Sequence, residues 1–311
     1  MKKLPTVSVL ITTYNHEKFI EECIDGVLKQ KTDFVYEIVI GDDCSTDRTR
    51  KICQRYARKY PDKINLICNK KNIGSIVTWQ NALNVCIGKY IALCDGDDYW
   101  VDPYKLQKQV HFLDQNEDYS LCFHSYYIKE GETLTLKRLI SKSSITLEEY
   151  AKSLSGPITL TVLFRNILKP IIPKDMMELV TGSFFCFIRL GEQGKFKYIN
   201  EPMAVHRMHS GGIYSGKSKY EQGIISLKNK VAMILYFKNN HSILKILKRT
   251  YVADSMHYIF FFLIRFQFYN ASKFIKYSLK FGLTTTHFTY AIMYLYGKIK
   301  NYKIFTVRDY I

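Results

Sequence analysis

The sequence has no C-x-x-C pair, although it contains eight cysteines scattered between Cys23 and Cys186. Closely spaced cysteines are typical of small disulfide-stapled proteins, whereas a chain of 311 residues can bury a sizeable core without them. We therefore expect reduced thiols and a cytoplasmic protein. A composition of 47% hydrophobic and 23% charged residues also excludes an intrinsically disordered chain.

Long hydrophobic runs are missing as well. The longest uncharged run of note, residues 281–297, has 17 residues and is interrupted by threonines and a histidine. It therefore lies at the lower edge of the length that spans a bilayer, and we predict no transmembrane helix there. The basic N-terminus is followed by about seven apolar-leaning residues without a small-residue cleavage site, which predicts a first β-strand and not a signal peptide.

Acidic residues are scarce: 28 Asp and Glu stand against 45 Lys and Arg, which gives a net charge of +17. The imbalance is concentrated in residues 217–311, where 16 basic residues accompany three acidic ones and aromatic residues are frequent. Basic aromatic helices are typical of proteins that lie on an anionic membrane surface. An ordinary helical bundle packed on the rest of the protein remains the alternative. Nucleic acid is disfavoured as a partner because no recognition motif accompanies the charge.

The first hundred residues alternate between short apolar runs and amphipathic stretches. The runs that are typical of buried strands are residues 7–11, 36–40, 64–68 and 90–94. The stretches with helical spacing are about 17–29, 47–60 and 75–86. This alternation predicts βαβ units and a parallel sheet, with Ser45 or Thr46 as the N-cap of the second helix.

Polar side chains follow three of these strands directly. They are Thr13 and Tyr14, Asp42 and Asp43, and Asp95 and Asp97. The carboxyl ends of parallel strands meet at one sheet edge, so we expect these residues to form one nucleotide-sized site. Two carboxylates two residues apart on an extended chain project to the same side, where a divalent cation carrying phosphate would offset their repulsion. For the D-x-D pair alone, a solvated turn is the alternative.

The same half of the chain resembles the inverting nucleotide-sugar glycosyltransferases of family 2. The residues that carry the resemblance are 7–15, 41–47, 88–98 and 102–106, in the order and spacing of that family. The resemblance implies a GT-A fold: an α/β, Rossmann-like, mixed and mostly parallel sheet flanked by helices. We expect a catalytic domain over residues 1–215, divided into a donor half (1–118) and an acceptor half (119–215), and a helical region over residues 216–311.

The resemblance also implies roles for individual residues. The donor-binding set would be Thr13, Tyr14, Asn15, Asp42, Asp43, Asn72, Asp95, Asp97 and Asp98. Asp95, Asp97 and His209 would hold Mg²⁺ or Mn²⁺ with the diphosphate, while Tyr14 would stack on the base and Asp42 or Asp43 would accept its N–H. Alternatively, Tyr14 packs on the first helix and Asp43 helps to cap the second.

The acceptor side is less well marked. Residues 158–166 alternate like a strand, and Thr161 and Arg165 are the weak candidates there; a plain sheet strand with a surface arginine is equally compatible. The carboxylate base of the family would stand at Ser183, and a serine hydroxyl is not a base near neutral pH. Three explanations remain open. Glu178 or Asp175 supplies the carboxylate instead, or the acceptor needs little base assistance. In the third explanation, the protein binds a nucleotide-sugar without transferring it. We favour Glu178.

The resemblance therefore implies a metal-dependent transferase that moves a sugar, most simply from a UDP-sugar, with inversion. Its acceptor would be a glycan or lipid-linked oligosaccharide of surface polysaccharide synthesis. The expected location is the cytoplasm, peripheral at the inner face of the cell membrane.

Overall fold

The computed structural model describes residues 4–140, 142–153, 156–168, 172–173, 183–212, 216–265 and 267–280. The chain forms two compact units: residues 1–150 with 154–216, and residues 217–311 with 151–153. The main division, between residues 216 and 217, lies one residue from the boundary proposed on sequence grounds.

The first unit is built on one mixed sheet flanked by helices. Its strands are β1 (Val7–Thr13), β2 (Tyr36–Asp42), β3 (Ile64–Cys68), β4 (Tyr90–Asp95), β5 (Tyr99–Trp100), β6 (Tyr119–Glu130), β7 (Thr133–Lys137), β8 (Ser144–Ile145), β9 (Leu163–Arg165) and β10 (Lys195–Met208). Its helices are α1 (Ile20–Leu28), α2 (Thr49–Lys59), α3 (Ser75–Asn84), α4 (Lys105–Gln115), α5 (Leu147–Ser153) and α6 (Phe184–Gly191).

The main strand order is β3-β2-β1-β4-β9-β6-β10-β5, with β7 on β6 and β8 on β10. The pairs β2–β3, β1–β2, β1–β4 and β6–β10 are parallel, and β9 lies antiparallel between β4 and β6. The four predicted strands and the three helices between them are therefore present, and they place the ends of β1, β2 and β4 at one sheet edge.

Burial explains why these segments fold as they do. The apolar residues of β1 and β4 are almost fully buried, as expected for central strands covered on both faces. On α1, the buried residues Ile20, Cys23, Ile24 and Val27 repeat at helical spacing and pack into the same core.

Two local predictions were wrong. Residues 158–166 are not one strand: Thr159–Thr161 form a 3₁₀ turn, and only Leu163–Arg165 pair in the sheet. The side chains of Ser45 and Thr46 do not cap α2, because they bond Asn15 instead, while Asp47 Oδ1 accepts from Thr49 N. The sequence pattern could not show the outcome for the cap, because Asn15 lies 30 residues away from Ser45.

A lysine is buried in the core of the first unit. Lys105, at the start of α4, is 0% exposed; its ammonium donates to Gln109 Oε1 (2.8 Å) and lies 4.0 Å from the centre of the Trp100 ring. Burial lowers the pKa of Lys105 to about 7, because an ammonium loses its hydration there. The unfolded chain therefore binds one more proton than the folded chain between about pH 7 and pH 10.

We expect Lys105→Met to change how stability depends on pH. Because the folded pKa is depressed, the wild-type protein gains stability as pH rises, at up to about 1.4 kcal/mol per pH unit over this window, and the Met variant does not. Urea unfolding followed by fluorescence of the buried Trp79 and Trp100 measures the slope. Lys108→Met is the matched control, since Asp102 and Glu201 hold the pKa of Lys108 above its ordinary value against partial burial. Parallel stability–pH curves for Lys105→Met and wild type would contradict the buried charge.

The second unit is helical. Its helices are α7 (Lys219–Tyr236), α8 (His241–Leu263) and α9 (Phe268–Lys280). Leu227, Tyr251, Phe262 and Phe274 belong to one apolar cluster among them, so much of the aromatic content predicted for a membrane surface forms a core of its own. Within the described residues, no helix is both long and apolar enough to cross a bilayer.

Candidate active site

The end of β4 turns sharply where its carboxylates begin. Asp98 N donates to Asp95 O (2.9 Å), so residues 95–98 form a tight turn and not the extended segment that we predicted. A side chain at Gly96 would lie 2.7 Å from Thr13 Oγ1 and 2.9 Å from His16 Nδ1, which explains the glycine. Asp95 and Asp97 therefore point to different partners while staying at one sheet edge.

Asp97 is the centre of a small polar cluster. His209 Nε2 lies 3.0 Å from Asp97 Oδ2, and His16 Nε2 lies 3.7 Å from the same oxygen. Phe19 packs against the His209 ring, with the ring centroids 4.7 Å apart. Thr13 Oγ1 lies 3.2 Å from His16 Nδ1. The structure thus brings together Thr13, Asp97 and His209, which the sequence predicted as site residues, and adds His16 to them.

Asp98 binds the protein itself. It is 2% exposed, accepts from Arg207 N (2.9 Å) and lies 3.1 Å from His206 Nδ1. Burial raises the pKa of Asp98. Burial also lowers the pKa of His206, but the hydrogen bond and charge of Asp98 outweigh that effect, so the pKa of His206 is raised overall. Asp98 therefore fixes β10 to the carboxylate turn and does not face an open site.

The pKa of Asp95 is raised by burial and by the neighbouring carboxylates. Burial, followed by the charges of Asp97 and Asp98, raises the pKa of Asp95 to about 7, although Thr12 Oγ1 donates to it at 3.2 Å. Negative charge concentrated in this way is costly unless a cation accompanies it. The edge is therefore suited to a positive group.

The carboxylates after β2 are both buried. Asp42 is 0% exposed and pairs with Arg50 (2.7 Å). Asp43 accepts from Asn69 Nδ2 (3.0 Å), Ile73 N (2.9 Å) and Gly74 N (2.9 Å), so it holds the loop before α3 and does not cap α2. Either residue would therefore contribute to the recognition of a base by keeping this loop in place.

The remaining donor-side candidates differ in exposure. Tyr14 is 41% exposed, which leaves ring surface for stacking. Asn15, at φ 56°, accepts from Thr46 N (2.8 Å) and so joins the ends of β1 and β2. Asn72 is exposed and its Oδ1 accepts from Gly74 N (3.2 Å) in the loop that Asp43 holds. All three lie at or beside the predicted edge.

Thr161 and Arg165 have contacts that serve the fold. Thr161 is 0% exposed and donates to Ile158 O (2.8 Å). Arg165 pairs with Tyr90 at the start of β4, away from Asp95, and donates to the carbonyls of Leu113 and Asn116 where α4 ends. We therefore withdraw both residues as acceptor candidates.

Ser183 begins α6, and its hydroxyl lies 3.0 Å from Thr159 Oγ1. The 3₁₀ turn that contains Thr159 leads into Val162, whose carbonyl accepts from Leu93 N of β4, so Ser183 lies close to the β4 end of the sheet. Glu178 and Asp175, the candidate bases, lie outside the described residues.

Sequence reasoning missed His16, His206 and Arg207. Arg207 is 8% exposed; it donates to Asp97 O and Glu22 Oε2, and lies 4.2 Å from the centre of the Tyr99 ring. His16 directly follows the 7–15 run, and His206 is three residues before His209, so proximity to recognised segments was the available signal.

The residues at this edge fit a divalent cation. Asp97 offers a carboxylate and His209 an imidazole on one side of the turn. They lie at the same sheet edge as Asp95, whose pKa is raised. Among the described residues, no three His, Cys, Asp or Glu side chains converge on one ready-made metal position. Magnesium commonly uses one or two carboxylates together with phosphate oxygens, and such a site would be completed by a ligand.

Comparison with known proteins shows the family to which the chain belongs. The family model for glycosyl transferase family 2 matches residues 8–171. TuaG of Bacillus subtilis, named as a putative teichuronic acid biosynthesis glycosyltransferase, is 30% identical over 220 residues, which cover 69% of this chain and 84% of that protein. The chain belongs to glycosyl transferase family 2.

One further relative and two solved structures are also similar to this chain. An uncharacterised protein of Mycobacterium tuberculosis is 33% identical over 216 residues, which cover 67% of this chain but only 60% of that protein. Staphylococcus aureus TarS, solved with UDP-GlcNAc, superposes with a TM-score of 0.55 at 16% identity over 86% of this chain and 90% of that one. A mannosyltransferase of Pyrobaculum calidifontis, solved with GDP-Man and Mn²⁺, superposes with a TM-score of 0.52 at 16% identity. The superposition covers 97% of this chain and 83% of that one. At these identities, the solved structures show a shared fold.

Proposed function

We propose that this protein transfers a sugar from a UDP-sugar to a glycan or lipid-linked acceptor in surface polysaccharide synthesis, with inversion. The observation that carries the proposal is the convergence of the β1, β2 and β4 ends with His209 from the segment after β10. TuaG is named for teichuronic acid synthesis, and a 29% identical Escherichia coli relative is named as a glucosyltransferase acting on a lipid diphosphate. The structure of TarS with UDP-GlcNAc supports uracil as the base of the donor.

In this proposal the donor lies along the sheet edge. Tyr14 stacks on the uracil, the loop held by Asp43 supports the base and ribose, and Asp97 with His209 holds Mg²⁺ or Mn²⁺. A cation held there would supply positive charge to the departing diphosphate. Asp98, His206 and Arg207 keep the turn in place, so that Asp97 meets the donor without rearrangement.

Inverting transfer forms one bond as another breaks. The acceptor hydroxyl oxygen bonds to the anomeric carbon while the bond from that carbon to the diphosphate oxygen breaks, and the hydroxyl proton passes to a base. We propose Glu178 as this base; it precedes Ser183 in the sequence, and Ser183 directly precedes α6. Ser183 would then orient the acceptor by a hydrogen bond and would not take its proton.

Glu178→Gln is expected to lower kcat by roughly 100-fold or more while the affinity for UDP stays unchanged, because a general base contributes to the chemical step and not to donor binding. Release of UDP from the donor in the presence of acceptor measures kcat, and calorimetry measures the affinity. Asp175→Asn and Ser183→Ala are the matched variants. An unchanged kcat in Glu178→Gln removes Glu178 as the base, and a loss in Asp175→Asn alone moves the role there.

The second candidate is a nucleotide-sugar-binding subunit without transferase activity. It is motivated by Ser183, whose hydroxyl is bonded to Thr159 at the position where the family places a carboxylate. This candidate predicts donor binding without transfer or hydrolysis by the wild-type protein, with any acceptor offered.

A further inference from the structure

Large apolar side chains are exposed where α8 meets α9. Ile264 is 61% exposed, Phe268 62% and Tyr269 71%, all within six residues. In the same unit, Phe262 and Phe274 are 1% and 0% exposed. Among the aromatic residues that the structure describes in this unit, the exposed ones, Phe268 and Tyr269, lie together at this turn.

Basic side chains accompany these exposed apolar residues. The Arg265 guanidinium lies 3.9 Å from the centre of the Phe261 ring, and the Lys273 ammonium lies 4.2 Å from the centre of the Tyr269 ring. We refer to Ile264, Arg265, Phe268, Tyr269 and Lys273 as the α8–α9 corner. The sequence contains no acidic residue between Asp254 and Asp309, so nothing along this stretch of chain neutralises the corner.

Charge decides which partner suits this surface. A second copy of the chain would bring an equally basic corner against this one, and like charges at a desolvated contact repel. A nucleic acid offers phosphates and stacking faces but no hydrocarbon for Ile264. An anionic bilayer offers both phosphate oxygens and an apolar layer, and aromatic and basic residues are favoured at that boundary.

We propose that the α8–α9 corner inserts into an anionic membrane surface. Ile264, Phe268 and the Tyr269 ring enter the boundary between headgroups and acyl chains, and Arg265 and Lys273 contact lipid phosphates. The residues of the corner all belong to the second unit, and none of them is among the residues of the proposed sugar-transfer site.

The test is sedimentation of the full chain with phosphatidylcholine vesicles, with and without phosphatidylglycerol. We expect binding to the anionic vesicles and little to the neutral ones, with affinity falling as salt is added. The triple variant Ile264→Ser, Phe268→Ser, Tyr269→Ser should bind about tenfold more weakly or worse, because the apolar contribution is lost. Leu134→Ser with Leu136→Ser is the matched control, since these exposed leucines of β7 lie in the first unit.

A second pair of variants isolates the charge. Arg265→Gln with Lys273→Gln should weaken binding to anionic vesicles by about fivefold for each charge removed. Lys51→Gln with Arg58→Gln removes the same charge from the exposed face of α2 and should have a smaller effect. Equal losses of vesicle affinity in the two pairs would mean that binding depends on net charge alone, and this would overturn the assignment of the corner.

A fluorescent reporter tests insertion directly. Phe268→Trp adds an exposed tryptophan to a protein whose Trp79 and Trp100 are buried in the first unit. Its emission should shift to the blue with anionic vesicles and stay unchanged with duplex DNA. The proposal is overturned by an absent shift, by corner variants that bind vesicles like wild type, by the same loss of affinity for DNA, or by a dimer that the triple variant abolishes.

Discussion

Asp97→Ala is expected to remove metal-enhanced UDP binding and to lower sugar transfer by roughly 1000-fold or more, the scale reached when a group that stabilises developing charge is lost. Asp97 is the carboxylate on which His209 and His16 converge, at 3.0 Å and 3.7 Å from Oδ2. Without it, the edge keeps Asp95, which accepts from Thr12, and the buried Asp98, which bonds His206 and Arg207.

The measurement for this variant has two parts: calorimetric UDP titration with and without Mn²⁺, and release of UDP during transfer. Asp118→Ala is the control, because Asp118 is an exposed carboxylate of the same unit that pairs with Lys195 at 2.8 Å. Retention of full metal-enhanced affinity in Asp97→Ala would remove this residue from the metal site and leave the clustering with His209 as a structural contact.

Asp43→Asn is expected to lower both stability and UDP affinity. The wild-type carboxylate accepts three hydrogen bonds, two of them from the backbone N–H groups of Ile73 and Gly74. An asparagine places an NH₂ donor against one of these N–H groups, so that N–H loses the carboxylate oxygen that accepts it. We expect the free energy of unfolding to fall by roughly 2–3 kcal/mol, and UDP binding to weaken because the loop before α3 is released.

Asn72→Ala is the matched control for Asp43→Asn. It removes the longer of the two side-chain contacts to Gly74 N, 3.2 Å against 2.9 Å, from an exposed position. We expect a loss of stability under about 1 kcal/mol. If Asp43→Asn unfolds at the wild-type urea concentration yet fails to bind UDP, Asp43 is a ligand to the base and not a loop anchor.

Much of the fold was predictable because its signals are local. The four strands of the donor half are short apolar runs in the sequence, and the candidate polar residues follow three of them within two positions. Parallel pairing then places those residues at one edge without further information. The start of α5 also has a local signal, a Thr followed three residues later by a Glu. Thr146 N donates to Glu149 Oε2 at 3.0 Å, and Glu149 N donates to Thr146 Oγ1.

What escaped prediction depends on distant partners. The fixing of Asp98 by Arg207 joins residues 109 positions apart, and no periodicity reports such a contact. Arg165 looked like a pocket residue because an alternating segment does not show which end of a neighbouring strand it meets. The turn at residues 95–98 was hidden for a similar reason: the close approach of Gly96 to Thr13 depends on the pairing of β1 with β4.

The central claim is that the strand ends form a nucleotide site completed by a divalent cation. Calorimetric titration of UDP into the full chain, with and without Mg²⁺ or Mn²⁺, tests it most directly. The account predicts micromolar-range binding, about −8 kcal/mol, that is strengthened by the metal. Absence of binding to UDP, and then also to GDP and CDP, in the presence of either metal would contradict it.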